Sequence, residues 1–379
     1  MMERRKNLND KFGFVDSMKI KDFIDYEQPN EYIVESDRYN SKYSTPVLTA
    51  GQSFILGYTN ESKGVHEKGP CIIFDDFTTS VHYVDFPFKV KSSAMKILTT
   101  KSNADIKYCY YLLLSLSKMP PNHKRQWIST TSEKTYELPS MDKQIAVVKQ
   151  LDLISDTIAI YTNQIENLDN LVKARFIEMF GRPFINNMNW ESRQIKNVVN
   201  EVKYGTSKPS VENGEYKYLR MNNLTYDGRF DLTDLKFISL DNDELEKCVV
   251  RKGDVLFNRT NSLDLIGKTA DFDFDEDMVI AGYIIRIRLK ETIVPKFFSM
   301  YMNTDEVKLH LRTIAKGAVN QANINAQELQ GIPIYIPPIE LQQQFADFVK
   351  QVDKSREEVK KSLEKTQQLY DSLMQEYFG

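Results

Sequence analysis

One pattern recurs about 200 residues apart and constrains the rest of the chain. The first copy reads LPSMDKQIAVVKQLDLISDT and closes on EMFG at Gly181. The second reads IPPIELQQQFADFVKQVDKSRE and closes on EYFG at Gly379. Each begins with a short apolar stretch and proline, then Gln-(Ile/Phe)-Ala, then Lys-Gln-(Leu/Val)-Asp, with small offsets between them. Solenoid repeats have periods of only ~20–50 residues, so a period this long points to duplicated domains.

Both copies have the pattern of long helices. In the first, Val147, Leu151, Ile154, Ile158, Tyr161, Ile165, Leu168 and Val172 alternate at spacings of four and three. In the second, Phe345, Phe348, Val352, Val359, Leu369 and Leu373 share a heptad stripe, with Ser355, Ser362 and Thr366 in its gaps. A narrow apolar seam among charges is a coiled-coil pattern. Neither stretch has an internal Pro or Gly. About 39 residues each would span roughly 58 Å. One such helix cannot bury its stripe alone, so the two are expected to pair. Leu151, Ile158, Ile165 and Leu168 would face Val352, Val359, Leu369 and Leu373.

The segments before each helix alternate short apolar runs with Asn, Asp, Gly and Thr turns, as in Cys71-Ile72-Ile73-Phe74 and Ile284-Ile285-Arg286-Ile287-Arg288. The expected fold is therefore α+β. Two strand-rich domains, 1–136 and 182–336, alternate with two long coiled-coil helices, 137–181 and 337–379.

At 41% hydrophobic and 27% charged, the chain is expected to be globular. No run of ~18 apolar residues suggests a membrane span. MMERRKNLND lacks the apolar core of a signal peptide. Three dispersed cysteines (Cys71, Cys109, Cys248) fit reduced thiols and a cytoplasmic protein. The net charge of −3 distributes as +3, −3, −1 and −2 over the four segments. Any nucleic-acid binding must use local patches, with a partner neutralising much of the phosphate charge.

No enzyme motif is evident. Gly267-Lys268-Thr269 resembles the end of a phosphate loop, but Ser262 stands where its first glycine should. There is no Gly-x-Gly-x-x-Gly, no (Asp/Asn)-Pro-Pro-(Tyr/Phe) and no Gly-x-Ser-x-Gly; the four histidines lack metal-ligand spacing. Several polar clusters instead have the composition of base readers. Phe257-Asn258-Arg259-Thr260-Asn261-Ser262 follows an apolar strand, and Asn and Arg have bidentate geometry for adenine and guanine edges. The same residues also read as an Asn-rich turn. Tyr204-Gly205-Thr206-Ser207-Lys208 suits a phosphate or an ordinary glycine turn. Lys316 to Asn325, with Asn320 and Gln321, packs amides densely and reads equally as a capping loop. In the first domain Asp75-Asp76-Phe77-Thr78-Thr79 occupies the same strand-then-loop place. Asp accepts from cytosine N4 and Thr touches a thymine methyl, while two carboxylates also suit Mg²⁺. Lys124 and Arg125 form a small basic cluster.

Together the layout closely resembles the specificity (S) subunits of type I restriction-modification systems. The second domain carries the resemblance in YGTSKP (204–209), EYKYLRMNNLTYDG (215–228), RKGDVLFNRTNS (251–262), LIGKTA (265–270), GYIIRIR (282–288) and GAVNQANINAQELQGIPIYIPP (317–338). PVLTAGQSFILGYTNES (46–62) and IIFDDFTTSVHYVDFPFKVKSSAMKIL (72–98) carry it in the first. The resemblance implies a non-catalytic subunit whose two domains each read half of a split duplex-DNA site, with Arg220, Asn223 and Lys268 joining the contacts above. It implies that the paired helices run antiparallel, set the spacer and dock two methyltransferase subunits, with restriction subunits as further partners. S-adenosylmethionine, ATP and Mg²⁺ would belong to those partners, and this chain would hold no cofactor or metal. The first domain departs from the second in having Asp-Asp-Phe-Thr-Thr where the other has Arg-Thr-Asn-Ser, so an asymmetric target is expected. Its lead-in before Met18 is short and lacks a counterpart to Trp190, which leaves open a shortened first domain. A regulatory or methylation-only specificity subunit is the alternative reading.

Overall fold

The computed structural model describes residues 14–49, 53–117, 125–318 and 320–379. The chain divides into two compact units: residues 1–162 with 361–379, and residues 163–360. Each unit holds one strand-rich domain, the start of one long helix and the end of the other.

The two domains share a strand order. In the first, a four-stranded antiparallel sheet runs Ile24–Glu27, Met95–Thr100, Cys71–Asp75, Val81–Val84. In the second the order is Val199–Tyr204, Ile284–Leu289, Val255–Asn258, Thr269–Asp271. Cys71–Asp75 and Val255–Asn258 are buried along their whole lengths. That burial explains their continuous apolar runs, because a strand covered on both faces need not alternate. Each domain adds a second sheet with one parallel pairing, Val47 beside Lys89 in the first and Tyr218 beside Val279 in the second.

A helix covers each main sheet. Asp105 caps Ile106–Leu116 by accepting from the Tyr108 amide at 2.9 Å, and Tyr108, Tyr111, Leu112 and Leu113 face the core. Pro295–Met302 starts with proline at its first position and buries Phe297, Phe298, Tyr301 and Met302.

The long helices, Met141–Phe180 and Ile339–Phe378, have 40 residues each. Their ends correspond at a constant separation of 198 residues, so the motif alignment shifts by two to three positions from its sequence reading. The partner of Gln144 is therefore Gln342, where the motif suggested Gln344. Both glutamines are fully buried and bond alike. Gln144 Nε2 donates to the carbonyls of Pro139 (2.8 Å) and Asn103 (3.1 Å), and its Oε1 accepts from Asp105 N at 2.8 Å. Gln342 Nε2 donates to Pro337 (2.8 Å) and Thr292 (3.1 Å), and its Oε1 accepts from Val294 N at 2.9 Å. Each amide thus fastens the helix start to the turn that opens its domain's covering helix. The buried glutamine satisfies three backbone groups that would otherwise lie buried without partners.

Within each unit the start of one long helix meets the end of the other, so the helices run antiparallel. In the first unit Val147 and Leu151 share a core with Ile20, Tyr108 and Trp127, and Tyr370, Leu373, Met374, Tyr377 and Phe378 pack against it. In the second, Phe176 and Phe180 lie 5.4 and 5.5 Å, ring to ring, from Phe345. Edge-on aromatic pairs of this kind add ~0.5–1.5 kcal/mol beyond burial. Asp169 of the first helix accepts from Arg356 of the second at 3.0 Å and from Arg229 at 2.8 Å, and Arg229 also reaches Asp353 at 3.1 Å. Of the predicted pairing residues, Leu151 and Val352 are buried, while Ile158, Ile165, Leu168, Val359 and Leu373 are half-buried. Leu369 is a correction: it is 51% exposed, and its neighbour Tyr370 turns inward instead. The helix ends also bury against their domains, so the stripe drifts from a strict heptad to follow two partners.

Among the described residues no helix is long and apolar enough to cross a membrane.

Candidate nucleic-acid interface

Three sequence motifs of the second domain converge on one surface. Thr260–Asn261 pairs with Gln321–Asn323, which pairs in turn with Lys316–Ala318. Thr260 Oγ1 donates to Asn323 Oδ1 at 2.9 Å. Tyr204, half-exposed at the end of its strand, accepts from the Ala326 amide at 2.9 Å. The Arg259 guanidinium stacks on the Tyr204 ring at 4.8 Å. No carboxylate pairs with Arg259 among the described residues. A stacked, unpaired guanidinium is held in place yet free to bond on its outer edge.

Other predicted contacts turn inward. Asn258 is fully buried, donating to the carbonyls of Thr260 and Tyr283 at 3.1 Å each. It also accepts from Asn261 Nδ2 at 2.9 Å, and Asn261 Oδ1 accepts from the Ser262 amide at 2.9 Å. These amides shape the loop that presents Arg259, and the buried one does not itself reach a groove. Asn223 is likewise buried, accepting from Arg220 N at 2.9 Å and donating to Asp231 O at 2.9 Å. Arg220 pairs with Asp234 at 2.7 Å. Thr206 is buried and donates to Glu244 at 2.6 Å; the exposed Lys208 pairs with Glu244. Ser207 stays exposed. The neighbouring Gly205 is required by packing, because a Cβ there would collide with the carbonyls of Ile280 and Ala281. Lys316 is exposed and pairs with Glu328 at 2.5 Å; Asn320 and Gln321 are exposed at the hairpin turn.

A second group of cations gathers on the return of the same loop. Lys268, half-buried, reaches the Met221 carbonyl at 3.5 Å, and burial lowers its pKa. Lys308 is 4% exposed, donates to Gly267 O at 2.6 Å and lies 4.7 Å from the Tyr226 ring. Arg312 donates to Tyr226 OH at 3.0 Å. Burial, then Lys268 and Arg312, push the Lys308 ammonium down to about 7. Neither Lys308 nor Arg312 was flagged by sequence. They sit one turn apart on Asp305–Ile314, a spacing that any exposed helix face shows.

In the first domain the predicted readers have a different role. Asp75 is buried and accepts from the amides of Phe77 (2.7 Å) and Thr78 (3.3 Å), closing a turn. Asp76 is buried too, accepting from the amides of Gln126 (3.0 Å) and Trp127 (2.8 Å) and pairing with the buried Lys96 at 3.2 Å. Both acids are therefore structural, a correction to their assignment as base readers. Two buried amides and a buried ammonium demand a carboxylate inside, and tertiary packing supplies those partners. Thr78 Oγ1 bonds Ser80 at 3.1 Å, and Thr79 is buried with a left-handed backbone (φ 61°). Arg125 is exposed; Lys124 lies outside the described residues.

Residues 187–368 match the family model for the type I restriction modification DNA specificity domain. The chain is 41% identical over 171 residues to the EcoR124I/EcoR124II specificity subunit of Escherichia coli, covering 43% of this chain and 42% of that protein. It therefore matches less than half the length of that curated relative. It is 23% identical over 390 residues to the MjaVIII specificity subunit of Methanocaldococcus jannaschii, covering 93% of this chain and 91% of the relative. The fold is similar to the crystal structure of a type I restriction-modification S subunit from M. genitalium, with TM-score 0.63, 15% identity and 98% of each chain covered.

Proposed function

We propose that this chain is a specificity subunit of a type I restriction-modification system and reads an asymmetric bipartite duplex site through its two domains. The observation that carries this is the convergence of three polar motifs around a stacked Arg259 that has no carboxylate partner among the described residues. Such a guanidinium suits the O6/N7 edge of guanine. The chain would carry no catalysis. Methyl transfer with S-adenosylmethionine, and any ATP- and Mg²⁺-dependent cleavage, would belong to partner methyltransferase and restriction subunits, with two methyltransferases docked on the long helices. Substrate adenine would be flipped from the stack into the partner's pocket.

The helices would act as a ruler between the half-sites. Their equal lengths and matched glutamine anchors support this, because a heptad removed from both keeps each anchor intact. Such a deletion shortens each helix by about 10 Å, or about three base pairs.

The test is to express the chain with a type I methyltransferase subunit from its host and map methylated bases across the genome. A split motif of two unlike halves with a fixed spacer is expected, with the spacer shortened in the heptad-deleted form. A continuous or symmetric motif would overturn the two-domain reading. A stable complex that methylates nothing would instead mark a regulatory subunit.

A further inference from the structure

We propose that Lys268, Lys308 and Arg312 form a seat for one backbone phosphate of duplex DNA, where the loop that presents Arg259 meets the helix Asp305–Ile314. The proposal rests on the DNA-recognition reading above and assigns this patch to positioning rather than to base reading. Arg259 and Lys268 are tied together, since the Asn258 amide donates to Lys268 O at 2.8 Å and the Gly267 amide to Asn258 O at 3.1 Å. One residue away, the Gly267 carbonyl holds Lys308 Nζ at 2.6 Å. Tyr226 joins the group from a second segment, its ring under Lys308 and its hydroxyl bonded by Arg312. Arg312 also reaches the Asp264 carbonyl at 3.4 Å.

What marks this patch is its missing counter-charge. Several other cations of the unit stand beside acids: Lys208 with Glu244, Arg220 with Asp234, Lys252 with Asp273 and Asp275, Arg229 with Asp169. Among the described residues, none of these three has a carboxylate partner. Burying an ammonium is unfavourable and gathering like charges around it adds to the cost; the lowered Lys308 pKa expresses the burial first and Lys268 and Arg312 after it. A phosphodiester arriving between Lys268 and Arg312 would cancel the repulsion, with Lys308 behind them. Gly267 makes this approach feasible. Its backbone is left-handed (φ +75°), and a Cβ there would strike Leu311, so the loop lies directly on the helix carrying Lys308 and Arg312.

The experiment uses the full chain in complex with its methyltransferase partner and measures binding of short labelled duplexes of scrambled sequence across salt concentrations. Lys268→Gln and Arg312→Gln should each flatten the log–log salt slope by about 0.9 and weaken all sequences alike. Lys308→Met should shift it in the same direction. Lys268→Arg and Arg312→Lys should keep the slope. An equal charge change at Lys252, already paired, should leave it as in the parent. If the parent binds with a steep slope and the three variants match it, the seat is wrong while the DNA-recognition reading stands. A change in the methylated motif at a single base would make the patch a base reader and overturn the phosphate assignment. A parent that binds without salt dependence would overturn both.

Discussion

The two domains share a sheet order and diverge in what the loop after the buried central strand carries. After Cys71–Asp75 the chain returns within a few residues: the Asp75 amide already donates to Ser80 O at 2.9 Å. After Val255–Asn258 it travels on to Thr269 before rejoining the sheet. The short loop puts both acids inside, where they hold backbone amides and Lys96. The longer loop has room to bury Asn258 as a brace and still leave Arg259 half-exposed on the Tyr204 ring. Position in a shared fold therefore does not transfer chemistry. Loop length decides whether a polar side chain after the strand braces the turn or projects from it.

The sharpest way to break this comparison is Asp76→Ala. It would leave the buried Lys96 without its carboxylate and the Trp127 amide without an acceptor, costing about 3–5 kcal/mol. Urea unfolding measures it. Near-parental stability with an altered target site would restore Asp76 as a reader.

Lys308→Met in the second domain should do the opposite and stabilise the fold by about 1–4 kcal/mol at neutral pH. The folded ammonium titrates at about 7, below its ordinary 10.5, so the unfolded chain binds more protons between those values. Parental stability should fall as pH drops from 10.5 to 7 and lose no more from this group below that. The stabilisation by Lys308→Met should therefore shrink as pH rises through the window. A gap independent of pH would mean that Lys308 is not held neutral.

Arg259→Ala should relax one base position by about 1–3 kcal/mol, read as a degenerate position in the methylated motif. Its melting temperature should barely move, in contrast to Asp76→Ala. An intact motif would remove Arg259 from the reading set. The smallest effect belongs to the helices. Leu369→Ala should change stability by less than about 0.5 kcal/mol, since that side chain faces solvent. A larger loss would place Leu369 back on the buried stripe.

Much of the architecture was legible from residue order. Two helices without Pro or Gly, each preceded by a strand-rich segment, follow from local propensity and apolar periodicity. The motif repeat announced the duplication; its closing EMFG and EYFG keep the register of the helices, while its opening Gln and Lys-Gln motifs stand two to three residues out of it. The seam offers similar apolar residues at neighbouring turns, and only the buried Gln144 and Gln342 define the common frame. Of the site, Tyr204 and Arg259 were both visible as residues, but their stacking was not.

The sequence by itself determined which elements form and that the fold is built twice, because periodicity and chain-breaking residues act over a few neighbours. Tertiary structure alone decided which polar side chains face outward. Asp76 and Asn258 are consumed by backbone groups from distant segments. Lys268, Lys308 and Arg312 meet only because separate segments of the chain converge on Tyr226 and Gly267. Whether a charge is paired depends on neighbours far away in sequence, and that pairing separates a structural ion from one left free to bind.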